Sequence, residues 1–279
     1  MERIGVLLAT YNGEKFIAEQ LQSLIDQTYS NWILYVRDDC SSDGTLTIIK
    51  DFEKKFPEKL VILQNEGRNL GAKDSFAALL NFVEEEYYMF CDQDDVWVST
   101  KIERSLAELK RVEHAYPGSP VLCFCDAIVA DEELNVIEAS FWKSTSVDPF
   151  YIKQGKRFEI FNCAPGCTMI INHKLKKHLF PFPDKAPMHD WWISIVAQRV
   201  GIVHPINEGL ILYRQHSSNT IGAESVEPQY FLKKLFRLSN LFKTQQNHLE
   251  FLREINGMGK MEFYISKLRY TLIRFMTNR

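Results

Sequence analysis

The first half of the chain alternates short, wholly apolar runs with longer segments of helical period. Apolar runs at residues 3–10, 33–38, 60–64 and 87–91 are too short for helices and carry no polar face. Such runs are strands buried on both sides. Between and after them, residues 14–27, 43–56, 72–86 and 100–115 place apolar residues at helical spacing. Thr100-Lys101-Ile102-Glu103 has the form of a capping box opening the last of these helices. Strand–helix alternation at this spacing predicts an α/β, Rossmann-like fold: a doubly wound, mostly parallel sheet flanked by helices.

The pattern then changes. Residues 120–126 read as a strand, and 127–142 as an excursion turning at 131–135. A polar, proline-bearing loop follows over 143–157, long enough to be a functional loop over a site or a disordered one. Pro165-Gly166 precedes a strand at 168–171, and 188–200 is a helix with two tryptophans near its start. Short strands are expected at 202–206 and 210–213, and basic-faced helices from about 228. This suggests a catalytic domain over 1–222, with a nucleotide half to about 118 and an acceptor half over 119–222. A helical C-terminal extension over 223–279 completes it.

Three of the strands run straight into polar clusters. The first meets Thr10-Tyr11-Asn12-Gly13, the second Asp38-Asp39-Cys40-Ser41-Ser42-Asp43-Gly44-Thr45, and the fourth Asp92-Gln93-Asp94-Asp95-Val96-Trp97. Polar groups at the carboxyl ends of parallel strands sit where open α/β sheets bind ligands. Carboxylates as crowded as Asp92, Asp94 and Asp95 repel one another unless a cation shares them. A hard divalent ion completed by substrate phosphates suits that arrangement. Each segment has an ordinary structural reading beside it, a turn or a helix cap.

Taken jointly, these segments resemble the inverting family 2 glycosyltransferases, which have the GT-A fold. The Asp-Gln-Asp-Asp-Val-Trp motif and a later His189-Asp190-Trp191-Trp192 are most similar to bacterial rhamnosyltransferases that build cell-wall or capsular polysaccharide. The resemblance covers roughly residues 1–222 and implies a set of roles. Asp39 would accept the imide N–H of uracil or thymine, with Thr10, Tyr11 and Asn12 around the base. Asn69 and Gly71 would lie near the phosphates. Relatives often carry a basic residue where this chain has Asp74, so Lys73 is not assigned a phosphate. Asp92 would contact the ribose or metal, and Asp94 would ligate Mg2+ or Mn2+. His216, in Tyr213-Arg214-Gln215-His216, is a further candidate ligand. Asp190 would be the general base. Gly166, Cys167, Thr168, Trp191 and Trp192 would line the acceptor site. The reaction implied is one displacement with inversion, from a nucleoside diphosphate sugar to a growing or lipid-linked glycan. The first choice of donor is dTDP-rhamnose, with UDP-hexose or UDP-N-acetylhexosamine as alternatives.

Bulk properties narrow the field. A net charge of −3 over 279 residues argues against nucleic acid as a partner. The balance is uneven, however. Residues 230–279 hold ten Lys/Arg and three acids, hence +7, which leaves −10 for residues 1–229. Phe231, Leu235, Leu238 and Phe242 recur at helical spacing away from Lys233, Lys234 and Arg237. That pattern suits an anionic membrane surface, with packing on the domain and a homodimer contact as other uses. Six cysteines without a Cys-x-x-Cys pair are expected as free thiols in a reducing cytoplasm, peripheral to the inner face of the plasma membrane at most. No leader precedes the first strand, and no apolar run is long enough to span a membrane. A sugar nucleotidyltransferase would need a glycine-rich basic loop after the first strand, which Thr10-Tyr11-Asn12-Gly13-Glu14 lacks. A non-catalytic glycosyltransferase partner would not need all the acid motifs.

Overall fold

The computed structural model describes residues 2–65, 67–216 and 238–277. Its centre is a nine-stranded sheet. The parallel part is β3 (Leu60–Ile62), β2 (Trp32–Asp38), β1 (Ile4–Thr10) and β4 (Tyr87–Cys91), in that spatial order. Here the expected strands hold to within a residue or two. Helices α1 (Ile17–Ile25), α2 (Thr45–Lys55), α3 (Ala72–Phe82) and α4 (Lys101–Ala115) link and flank these strands. Helix α1 shows why. Ile17, Leu21 and Leu24 recur at three- and four-residue spacing, and all are buried. At the head of α4, the expected capping box does not form. Thr100 makes no side-chain cap, and Glu103 instead accepts the Thr28 hydroxyl at 2.7 Å.

Beyond β4 the sheet is mixed rather than mostly parallel. β8 (Met169–Asn172) lies antiparallel between β4 and β6 (Val121–Ala130), and β6 runs parallel to β9 (Ile202–Arg214). Short β5 (Val96–Trp97) and β7 (Val136–Glu138) pair antiparallel with β9 and β6. The two strands expected at 202–206 and 210–213 are one. Asn207-Glu208-Gly209 reads as a turn, yet pairing with β6 absorbs it as a bulge. Glycine at 209 permits this, because a Cβ there would lie 2.8 Å from Ile128 Cγ1.

The expected loop over 143–157 is neither open nor structureless. It holds α5 (Phe141–Ser144) and α6 (Pro149–Ile152), and Trp142, Val147, Ile152 and Phe158 anchor it in the core. Helix α7 (His173–Lys176) follows β8, and α8 (His189–Val200) packs across the sheet. The C-terminal helices α9 (Leu238–Asn256) and α10 (Lys260–Thr277) join the same core, through Leu249, Phe251, Leu252, Met258, Phe263 and Tyr270. The apolar stripe expected at Phe231 and Leu235 falls outside the described residues. All six cysteines are free. No helix among the described residues is long and apolar enough to cross a membrane.

Candidate active site

Strand register places the polar clusters together. Thr10 is paired with Asp38 across β1 and β2, and Leu8 with Cys91 across β1 and β4. The residues that follow, Tyr11, Asp39 and Asp92, therefore emerge side by side at one sheet edge.

On the β2 side every carboxylate is well supplied with donors. Asp38 accepts from the Thr10 hydroxyl at 3.0 Å and from the Ser41 N–H at 3.0 Å. Asp43 accepts the Thr45 N–H at the start of α2 and the Glu14 N–H, the capping role expected of it. Asp39 is 3% exposed. Its oxygens take the Leu70 N–H at 2.8 Å, the Gly71 N–H at 2.7 Å and the Arg37 guanidinium. Burial alone would raise its pKa, but these three donors outweigh burial and hold it low. Asn69 ties back to the Asp39 carbonyl at 2.9 Å. Gly71 adopts φ +77°, open to glycine without strain, and that turns its N–H onto Asp39. Asn69 and Gly71 thus serve to hold Asp39. Lys73 is drawn off to the Asp184 carbonyl at 2.5 Å.

Gln93 joins this side to the acid motif. Its side chain accepts the Tyr11 N–H at 2.9 Å and donates to the Tyr11 carbonyl at 3.0 Å. Asn12, at φ +48°, accepts the Ser42 N–H. The Tyr11 ring is left 51% exposed at the rim, open to a planar base. Nothing in the chain signals the Gln93 bridge, because a glutamine between acids has no periodic or charge signature.

On the β4 side the balance is reversed. Asp92 is pushed up to about 7 by burial first, then by the charges of Asp94 and Asp190. Asp95 is fully buried and raised for the same first reason, with one oxygen accepting the Arg214 N–H and the other unpartnered. Asp94 meets His216 Nε2 at 2.9 Å. Arg214 braces the segment by donating to the Asp94 carbonyl at 2.7 Å, and it also contacts Glu19 and the Phe16 ring. Beneath the acids lies Lys101, fully buried, its ammonium on the Cys167 carbonyl and 4.0 Å from the Trp97 ring centroid. Read only as a helix-start residue in the sequence, Lys101 is the buried cation of the cluster.

Asp190 closes the site from α8. Burial pushes its pKa up to about 7, moderated by N–H groups of Trp191 and Gly166 and by Asn162. The Gly166 N–H lies 3.2 Å from Asp190 Oδ2. Gly166 itself must be glycine, since a Cβ would sit 2.4 Å from His189 Nε2. Thr168 turns its hydroxyl to the Pro165 carbonyl at 2.7 Å, fixing the same loop. Cys167 is buried, and its thiol stays protonated because burial raises its pKa. Both tryptophans are half-buried and tied at their indole edges. Trp191 Nε1 donates to the Phe158 carbonyl and its ring lies 4.3 Å from His248, while Trp192 Nε1 donates to the Leu179 carbonyl. Both rings hold α8 to its neighbours.

The donor types suit a divalent cation. Asp92 and Asp95 offer carboxylate oxygens within 4.8 Å of each other and of the Cys167 sulfur, whereas Asp94 is paired with His216 and is not part of that group. Burial, with the charges of Asp94 and Asp190 added to it, is what raises Asp92. Hard oxygen donors with an imidazole suit Mg2+ or Mn2+, whereas the protonated Cys167 thiol is a poor ligand for either.

Residues 5–179 match the Glycosyl transferase family 2 profile. The chain belongs to glycosyl transferase family 2. Over 230 residues this glycosyltransferase is 30% identical to dTDP-rhamnosyl transferase RfbG of Shigella flexneri, a match covering 77% of this chain and 74% of that one. It is 26% identical over 221 residues to UDP-Glc:alpha-D-GlcNAc-diphosphoundecaprenol beta-1,3-glucosyltransferase WfgD of Escherichia coli, covering 78% of each. Among solved structures it resembles S. aureus TarS 1–349 in complex with UDP-GlcNAc, with TM-score 0.59 and 19% identity over 99% of this chain and 82% of that one. It also resembles the mannosyltransferase PcManGT from Pyrobaculum calidifontis in complex with GDP-Man and Mn2+, with TM-score 0.61 and 16% identity over 99% and 71%. These likenesses establish the GT-A fold. By family the chain is a glycosyltransferase, and the expectation of a transferase holds.

Proposed function

We propose that this glycosyltransferase moves L-rhamnose from dTDP-rhamnose onto a lipid-linked glycan, with inversion at the anomeric carbon. The observation that carries the reading is the meeting of Asp190 with the Asp92–Asp94 pair at the sheet edge, with Asp190 raised to about 7. A base with that affinity can accept a hydroxyl proton near neutral pH. The acceptor oxygen loses its proton to Asp190 and bonds to the anomeric carbon, while the bond from that carbon to the diphosphate oxygen breaks. The nucleoside diphosphate leaves with the electron pair. The exposed Tyr11 ring and the one free lone-pair direction on Asp39 Oδ2 would receive the base. Asp92, Asp94 and His216 would hold Mg2+ or Mn2+, which supplies charge neutralisation to the departing diphosphate.

Rhamnose is supported by the 30% identity to the Shigella protein. A second reading, transfer of glucose or N-acetylglucosamine from UDP, is supported by the likeness to the E. coli glucosyltransferase. A lipid-linked acceptor is met at a membrane surface, and the basic segment 230–243 favours that setting. Thermal stabilisation across a panel of nucleotide sugars, with and without Mn2+, separates the donors. Stabilisation by dTDP-rhamnose plus Mn2+ above all UDP-sugars is expected, followed by an α-linked product by NMR. A β-linked product from dTDP-β-L-rhamnose, or equal response with EDTA, would overturn the reading.

A further inference from the structure

Helix α10 has two apolar faces, and only one is used. Phe263 and Tyr270 turn inward and are buried in the core. On the opposite side Met261, Ile265, Leu268 and Leu272 are 78%, 57%, 62% and 55% exposed. Four large apolar side chains in one exposed row are not the scattered surface residues that need no explanation.

Their spacing narrows the choice of occupant. Steps of four, three and four residues are the repeat of a two-helix seam. At 100° per residue the row spans only about 60° of the helix circumference, with Tyr264 and Thr271 on one border and Glu262 and Arg269 on the other. A helix lying in a lipid interface needs a broader apolar face than this. The flank of the row then points to a second copy of this chain. Glu262 and Arg269 lie seven residues apart on the same flank. Among the described residues neither has an ion-pair partner in its own chain. Set α10 antiparallel to its own copy about a two-fold axis, with Ile265 of each helix packed at Leu268 of the other. Glu262 of each copy then lies near Arg269 of the other, twice, as an isologous contact requires. A parallel pairing would set Arg269 against Tyr264 and leave both charges unmatched.

We propose that the outer face of α10 is a homodimer interface, an antiparallel two-helix seam closed by two reciprocal Glu262–Arg269 pairs. The buried face of α10 keeps the catalytic body attached, so the seam joins two enzymes back to back without touching the acid cluster.

The test is the molar mass of the full chain by sedimentation equilibrium over a wide concentration range. A monomer–dimer equilibrium is expected. Leu268→Glu should weaken association at least a hundredfold while leaving circular dichroism and donor-induced thermal stabilisation unchanged. Glu262→Arg and Arg269→Glu should each weaken it about tenfold, and the double exchange should restore it, a pattern no lipid contact would give. A chain monomeric at every concentration overturns the proposal. If that monomer pellets with phosphatidylglycerol vesicles in a Leu268-dependent way, the face belongs to lipid. Dimerisation untouched by Leu268→Glu moves the interface elsewhere and overturns it equally.

Discussion

The two sides of the site treat the same chemical group in opposite ways. Around β2, Asp38, Asp39 and Asp43 receive hydrogen bonds from backbone N–H groups, hydroxyls and Arg37, and Asp39 and Asp43 are held below the ordinary carboxylate range. Around β4, Asp95 and Asp190 are buried and Asp92 is half-buried, and there desolvation outweighs the donors, so all three rise above it. The first set is finished by the fold, and its charge is already answered. The second set is left in deficit, and a cation, a phosphate-bound metal or a proton must answer it. Carboxylates that shape a site and carboxylates that act in it can therefore be told apart by what the chain itself supplies to them.

The sharpest test of that division exchanges one acid from each side. Asp190→Asn and Asp94→Ala should each lower turnover by about 10²- to 10⁴-fold, the range for removal of a positioned group, with the unfolding curve in urea little changed. Asp39→Ala should do the reverse of sparing the fold. It strands the buried Arg37 guanidinium, and losing one member of a buried pair costs about 3–5 kcal/mol. A stable Asp39→Ala enzyme, or an unfolded Asp190→Asn one, would erase the distinction.

Titration probes the same contrast. Turnover should climb with pH through about 7, as Asp190 loses its proton and becomes a base. Stability of the ligand-free enzyme should move the other way. A carboxyl raised from 3.8 to about 7 binds more protons folded than unfolded between those values, so its contribution falls as pH rises through that window. At pH 8 Asp190→Asn should therefore melt above the parent enzyme, by about 2–4 °C for each kcal/mol recovered. At pH 4 the two should melt together. A parent enzyme that is more stable than the variant at pH 8 would show that Asp190 is not under strain.

Among the described residues Lys101 is the one fully buried cation against the deficit. Lys101→Met keeps much of the volume and removes a charge that lowers Asp92 and Asp95, so the acid limb of Mn2+-induced thermal stabilisation should move to higher pH. An unmoved limb, in a folded variant, would mean Lys101 only anchors the Cys167 carbonyl. The smallest effect is expected for Gln93→Ala, which cuts both bonds to Tyr11. At about 1 kcal/mol for a net hydrogen bond, donor KM should rise on the order of tenfold with kcat nearly kept. A fall in kcat alone would place Gln93 in the chemistry.

Much of this was readable from the chain. The parallel strands β1, β2 and β4 announce themselves as apolar runs, and the acids at their ends follow directly, because burial on both faces leaves no periodicity to misread. What the sequence hid was long-range. Asn207-Glu208-Gly209 carries a local turn signal that only pairing with β6 overrides. A sequence does not reveal that the Phe158 and Leu179 carbonyls accept the indole N–H groups of Trp191 and Trp192. Lys101 sat in a capping motif whose local logic was complete without it. In each case the deciding partner lies outside any local pattern, 13 residues away for Trp192 and 66 for Lys101.

The core that α9 and α10 share with α8 has a consequence in time. A ribosome makes the acid motifs first and the residues that brace α8 last. Until residues as far as Tyr270 have emerged, Trp191 lacks His248, and the helix that carries Asp190 has one bare flank. The nascent protein can assemble its nucleotide cradle during synthesis, since β1 to β4 are early and local. Its base is braced only once α9 and α10 have followed, so the cradle can form before the base is set.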